Sequence, residues 1–246
     1  MPHIEIAAEK LFTLFGFPVT NTLIMTWIVL GLLVFAAITI SRTINIVPRG
    51  LQNIFEILLE KFLGLMEGMM GSRVAAERYV PIVATIFIFL LLSNWFGIFP
   101  GVGTIGLVEE HEGKRLLVPF FRSAASDLNV TLALGTVVVF LINLTGMTAR
   151  GIGKHMSKFF SFKNPISFFV GILEFISEFA KIISFSFRLF GNIFAGEVLL
   201  IIVGFLAPFG APLPFLMLEL FVGFVQALVF AMLTMVFISI AVAEHH

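Results

Sequence analysis

The chain has 246 residues, 59% of them hydrophobic and 12% charged, with a mean hydropathy of +1.08; an average soluble domain carries roughly twice that share of charge, so water is not its solvent. Fifteen basic residues balance fifteen acidic ones, which removes any bulk electrostatic case for nucleic acid. The absence of cysteine excludes a disulfide framework and a thiolate metal site.

The organisation expected is one integral membrane domain over residues 1–246, all-α, with about five membrane-embedded helices and one amphipathic surface helix. Residues 1–22 form an outer N-terminal segment. Met1 to Lys10 is polar and lacks the basic stretch and small-residue cleavage site of a secretory signal, so the first apolar run is read as permanent. That run, residues 23–40, contains Trp27 and as a helix is about 27 Å long, enough to cross the hydrocarbon core. Arg42 and Arg49 follow. Residues 51–70 place Phe55, Leu58, Leu59, Phe62, Leu65 and Met66 at helical spacing among Glu56, Glu60, Lys61 and Glu67, the pattern of a helix lying on the membrane surface. Residues 80–99 make a second crossing, with Trp95 as an interfacial anchor and Pro100 and glycines closing it. Residues 100–127 are an outer loop, and residues 128–147 a third crossing. Residues 149–164 hold Arg150, Lys154, Lys158 and Lys163 as a basic inner loop.

From Pro165 to Leu206 no helix breaker is decisive, so residues 165–206 predict a helix of about 60 Å, roughly twice the hydrocarbon thickness, which must be strongly tilted. A turn rich in Pro208, Gly210, Pro212 and Pro214 then leads into residues 215–242, and the two helices make a hairpin. The basic segments after the first and third crossings put those ends inside by the positive-inside rule, with the N-terminus outside and the C-terminus inside.

An arginine near the centre of an apolar helix costs about 2.5–3.5 kcal/mol on insertion scales, so Arg188 marks function. Ser184 and Asn192 lie one turn to either side of it on the same stripe. Glu197 is about 180° around the helix and roughly 13 Å along it, toward the outer side. Folding the chain back near Gly210 brings Gln226 beside Arg188 and Glu219 beside Glu197. Two carboxylates together in low dielectric rarely both ionise, so this pair is a usable proton relay. Glu174, Ser177 and Glu178 offer a second polar path at the inner end of the same helix, with Lys181 offsetting their charge. Two half-paths separated by a fixed cation carry protons only through a moving carrier, which must belong to another subunit.

Blander readings stand beside these. Arg188 is a structural cation if it pairs with a carboxylate of its own chain. Glu219 and Gln226 serve equally as interhelical hydrogen-bond glue, and Ser177, Ser184 and Asn129 as partners of their own backbone. Lys154, Lys158 and Lys163 are most economically topology determinants and headgroup contacts. The GxGxxG spacing at Gly101, Gly103 and Gly106 opens no βαβ unit, and no GxxxxGK[ST] loop occurs, so nucleotide chemistry falls to a partner. The histidines show no metal-ligand spacing, and nothing calls for a cofactor.

The run Phe187-Arg188-Leu189-Phe190-Gly191-Asn192 followed by Ala195-Gly196-Glu197 resembles the RLFGN…AGE segment of the a-subunit family of F-type ATP synthases. Asp127-Leu128-Asn129-Val130-Thr131, Gln226-Ala227 and the closing Glu244-His245-His246 extend the resemblance over nearly the whole chain. It implies that Arg188 faces a rotor ring of c subunits, attracts each ionised rotor carboxylate and separates two half-channels. Glu197, Glu219, Asp127 and Asn129 then belong to the outer half-channel, Glu174 with Ser177 to the inner one, and Asn192 and Gln226 flank the gate; Glu178 as a further inner carboxylate and Ser184 near the gate rest on their spacing alone. Implied partners are the c-ring, peripheral-stalk b subunits, F1 indirectly, and membrane lipids. The implied enzyme role is that of a membrane subunit without an ATP site, in a bacterial inner membrane. Several members of that family carry His at one of the positions of Glu197 and Glu219, whereas this chain has Glu at both. A secondary transporter, which needs paired repeats around a site at mid-depth, and a structural membrane anchor are the competing classes.

Overall fold

The computed structural model describes residues 7–99, 105–111, 114–159 and 164–243. Seven helices and two β-ribbons occur among them. Helix α1 (Asn21–Arg42) opens on Thr20, whose hydroxyl accepts from the Leu23 amide at 3.3 Å, a standard N-cap arrangement. Only Asn21, Thr22, Met25 and Val29 of this helix are buried, so most of its apolar surface faces outward. Helix α2 (Leu51–Met70) is the amphipathic one and buries Gln52, Phe62 and Met66. It ends on Gly71, held at φ 66°, whose N–H reaches Glu67; a side chain would strain that conformation.

Helix α3 (Arg73–Ile98) begins well before residue 80. The Ser72 cap and an i,i+4 Arg73–Glu77 ion pair of 3.1 Å extend it by two polar turns below the apolar run. Helix α4 (Leu128–Arg150) is capped by Asp127, which accepts from the Asn129 amide at 2.8 Å. A five-residue helix α5 (Ile152–Met156) lies within the basic segment. Helices α6 (Pro165–Leu206) and α7 (Pro212–Val242) form the long hairpin, each with proline in its first turn, where the missing N–H costs nothing. Five helices, α1, α3, α4, α6 and α7, are long and apolar enough to cross a membrane, so the chain is an all-α integral membrane protein by length, composition and architecture.

Two departures from the reading as plain loops are the ribbons. Strands β1 (Lys10–Leu14) and β2 (Phe17–Thr20) pair antiparallel through Phe15 and Gly16, at φ 50° and 87°, the positive values that a two-residue hairpin turn requires. Strands β3 (Gly106–His111) and β4 (Lys114–Pro119) pair within the expected outer loop. Ribbons satisfy backbone groups that a loose loop beside lipid would leave bare.

The core lies where α3, α4, α6 and α7 meet. Val83, Phe87 and Leu90 of α3 join Phe185 of α6 and Ala227, Phe230, Ala231 and Met235 of α7, with the Phe185 and Phe230 rings 4.5 Å apart. Polar bonds add register: Asn94 Nδ2 donates to the Gly223 carbonyl at 3.0 Å and Trp95 Nε1 to that of Leu220 at 3.0 Å. Thr22 Oγ1 donates to Asp127 at 2.9 Å, so α1 and α4 start at the same end of the bundle. That end also holds the α6–α7 turn and both ribbons; the other holds Arg42, Arg150 and α5.

Candidate functional site

Helix α6 carries the site because its burial is partial. Phe185, Ser186, Leu189, Ile193 and Gly196 point inward, and Ser186 fits against Gly135, donating to the Thr131 carbonyl at 3.0 Å. The opposite face presents Ser184, Arg188, Gly191, Asn192 and Ala195, all exposed. The Arg188 Nη2 bonds Ser184 Oγ at 3.3 Å. Among the described residues no carboxylate forms an ion pair with it; the six ion-paired acid–base couples lie elsewhere.

Gln226 is buried and accepts from Asn192 Nδ2 at 3.1 Å through Oε1. The expected neighbour of Gln226 was Arg188; the hairpin seats it one helical turn further along, on Asn192. Gln226 Nε2 has no partner, so this amide keeps a free donor next to the cationic stripe.

Toward the turn end, Glu219 lies buried with its carboxylate in the space left by the missing side chain of Gly196. Glu197 is the next residue after Gly196, so the two glutamates are neighbours across the hairpin. Glu197 itself is held by Arg122, whose Nε lies 3.0 Å from Oε1, a contact absent from the reading of the sequence. Nothing in residue spacing connects the two: Arg122 precedes a single 3-10 turn (Ala124–Ser126) in a loop, and Glu197 lies 75 positions on. Asp127 is buried as the α4 cap, bonded to Thr22 and to the Asn129 amide. Asn129 is exposed. Neither touches Glu197 or Glu219 by a hydrogen bond; the short loop from Arg122 to Asp127 is what links them.

Toward the basic end, Glu178 is 8% exposed and accepts from Lys181 Nζ at 2.8 Å and from Asn143 Nδ2 at 3.0 Å. Lys158 pairs with Glu174 and stands 3.7 Å from Glu178. This corrects the assignment of Lys158 to headgroups: α5 returns it over α6 onto two carboxylates. Ser177 is half-buried beside them. His155, for which the sequence suggests no metal-ligand spacing, is buried with Nε2 at 3.0 Å from Asn143 Oδ1. Burial first, and then the charges of Lys158 and Arg150, hold its pKa below the usual 6.5, against an opposing pull from Glu178. A cavity of about 330 Å³ opens next to Glu178, walled by Val139, Phe140, Asn143, Met147 and Phe175. Arg150 donates to the carbonyls of Ile240 and Ala243, so a cation expected to set topology also caps the C-terminus of α7. Lys163, residues 101–104 of the glycine-rich loop and the closing Glu244-His245-His246 lie outside the described residues.

Fold and site together define an all-α integral membrane protein with a cation on the outer face of its longest helix and carboxylate clusters toward both of that helix's ends. The chain belongs to the ATP synthase A chain family, whose sequence model matches residues 23–239. It is 32% identical over 247 aligned positions to the ATP synthase subunit a of Moorella thermoacetica, covering all of both chains. It is 35% identical over 208 positions to that of Campylobacter fetus subsp. fetus, 84% of each chain, and 33% over 238 positions to that of Campylobacter hominis, 95% of this chain and 96% of the other. With the family goes the role the resemblance implied, proton translocation in the membrane sector of the synthase.

Proposed function

We propose that this chain conducts protons through two offset half-paths at the face of a rotor ring of c subunits, so that proton flow turns the ring. Arg188 is the fixed gate. It cannot lose its proton in a protein, it finds no carboxylate in its own chain among the described residues, and leaving it uncompensated in lipid costs about 2.5–3.5 kcal/mol or more. An ionised rotor carboxylate supplies the missing charge, and once protonated it is free to move past the guanidinium into lipid. That unpaired, outward-facing cation is the observation that carries the reading.

Glu197 and Glu219, with Asp127 and Asn129 at the start of α4, serve the outer half-path, and Glu174, Ser177 and Glu178 serve the inner one. Ser184 and Asn192, the latter anchored on Gln226, hold the guanidinium stripe. The ends carrying Arg42, Arg49, Arg150 and Lys154 face the inside, so the C-terminus is cytoplasmic and the N-terminal ribbon outside, in a bacterial inner membrane. ATP chemistry belongs to F1, reached through b subunits of the peripheral stalk.

The test is the whole complex reconstituted in vesicles with Arg188→Ala. Proton pumping and proton-driven ATP synthesis are expected to fall to background while F1 hydrolysis continues; wild-type coupled rates would overturn the proposal.

A further inference from the structure

Arg122 is buried, 7% exposed. Its Nε faces both carboxylate oxygens of Glu197, at 3.0 and 3.3 Å, and its Nη1 donates to the carbonyl of Ala7 at 3.2 Å. Three segments remote in sequence therefore meet on one guanidinium: the stretch before β1, the loop before α4, and the last third of α6. A buried cation is stable only when paired and hydrogen-bonded, and a carboxylate gripped in this way has its charge compensated where it stands.

Glu219 is placed differently. Its carboxylate fills the seat left by Gly196, no cation among the described residues pairs with it, and Glu197 is the next residue after that glycine. Two neighbouring acids of one chemical type would share a proton between them. A guanidinium locked on one of them breaks that symmetry.

We propose that Arg122 is a positioning residue of the outer proton path: it fixes Glu197 as a charge-compensated carboxylate and leaves Glu219 as the carboxyl that takes up and releases the proton. This rests on the reading of the two glutamates as the outer half-path. The cycle makes and breaks only O–H bonds. A hydronium ion gives its proton to a Glu219 oxygen, the carboxyl passes it on toward the ionised rotor carboxylate, and Arg122 keeps its own proton throughout.

A double-mutant cycle in the reconstituted complex tests this, with proton translocation measured for Arg122→Gln, Glu197→Gln and the two combined. Arg122→Gln is expected to slow translocation about ten-fold or more, since a misplaced acid loses its reacting geometry. In the Glu197→Gln background the same change is expected to cost less than about two-fold, because its partner is already gone. Equal losses in both backgrounds, as a role confined to tying down Ala7 would give, overturn the proposal and leave the outer path standing. Wild-type translocation by Glu197→Gln alone overturns the outer-path reading and this proposal with it. Should Arg122→Gln not assemble, Arg122→Met, also uncharged and of similar length, takes its place in the cycle with the same outcomes. Where Glu197→Gln conducts too little for a further loss to be read, infrared titration of the complex decides. A protonated-carboxyl band that vanishes in Glu219→Gln and survives in Glu197→Gln is expected, and the reverse overturns the assignment.

Discussion

Any side chain at position 196 would have to enter the space occupied by the Glu219 carboxylate, so the Ala195-Gly196-Glu197 run supplies a seat as well as an acid. Gly196→Ala is therefore expected to displace that carboxylate and slow proton translocation by about 10²-fold, the scale of an ångström's misplacement, while the subunit still copurifies with the complex. An unchanged rate would mean that Glu219 works from some other position. Arg188 and both glutamates were legible in the sequence because a charge inside an apolar helix announces itself by its cost. Arg122 was not, since a basic residue in a polar loop carries no such signal and its partner is fixed only when the chain folds. His155 was hidden similarly: Asn143 lies 12 positions upstream, across the turn at Gly151, and only the close approach at Gly146, where an added methyl would meet the imidazole at 2.7 Å, reveals that the ring is packed.

The spans could be read from hydropathy because each is an apolar run of membrane length, whereas the ribbon strands, of four to six residues, and α5, of five, are too short to leave a periodic trace. Helix α5 nonetheless joins the α4 end to the Glu174–Glu178 cluster, through its His155 on Asn143 and through Lys158 just beyond it. Its histidine has its pKa below the unfolded value of 6.5, so below about pH 6.5 the unlatched segment binds more protons than the packed one, and the latch is weakened as pH falls. The sign is opposite to that of a histidine stabilised by a carboxylate: full stability lies above pH 6.5 and is lost on acidification. The protection factors of the amides of residues 152–158, which divide out the intrinsic slowing of exchange on acidification, should fall as pH is lowered from 7.5 to about 5.5. In His155→Gln, which retains a donor toward Asn143 but does not titrate, that fall should be absent. Equal pH dependence in the two proteins would remove the histidine from the latch.

At the scale of the molecule the question is what covers the face of α6 that bears the cation. Exposed Phe35 on α1 and Phe140 on α4 can meet acyl chains at no cost, but Arg188 and Asn192 between exposed Phe187 and Ala195 cannot. On the proposed reading the two kinds of exposed surface face different neighbours, lipid for the first and a rotor protein carrying a negative charge for the second. The chain has no native cysteine, so a single introduced thiol reports its surroundings without a background. Cysteine placed at Gly191 or Ala195 is expected to form a disulfide, on mild oxidation of the membranes, with a cysteine set beside the ion-binding carboxylate of the c subunit, since bridging requires Cα atoms within about 7 Å. The cross-link should stop ATP-driven proton pumping, and reductant should restore it, because a tethered ring cannot turn. Cysteine at Phe35 should remain unlinked under the same conditions. Cross-links from Phe35 with none from Gly191 or Ala195 would place the ring against a different side of the bundle, and Arg188 would then need its counter-charge from another partner.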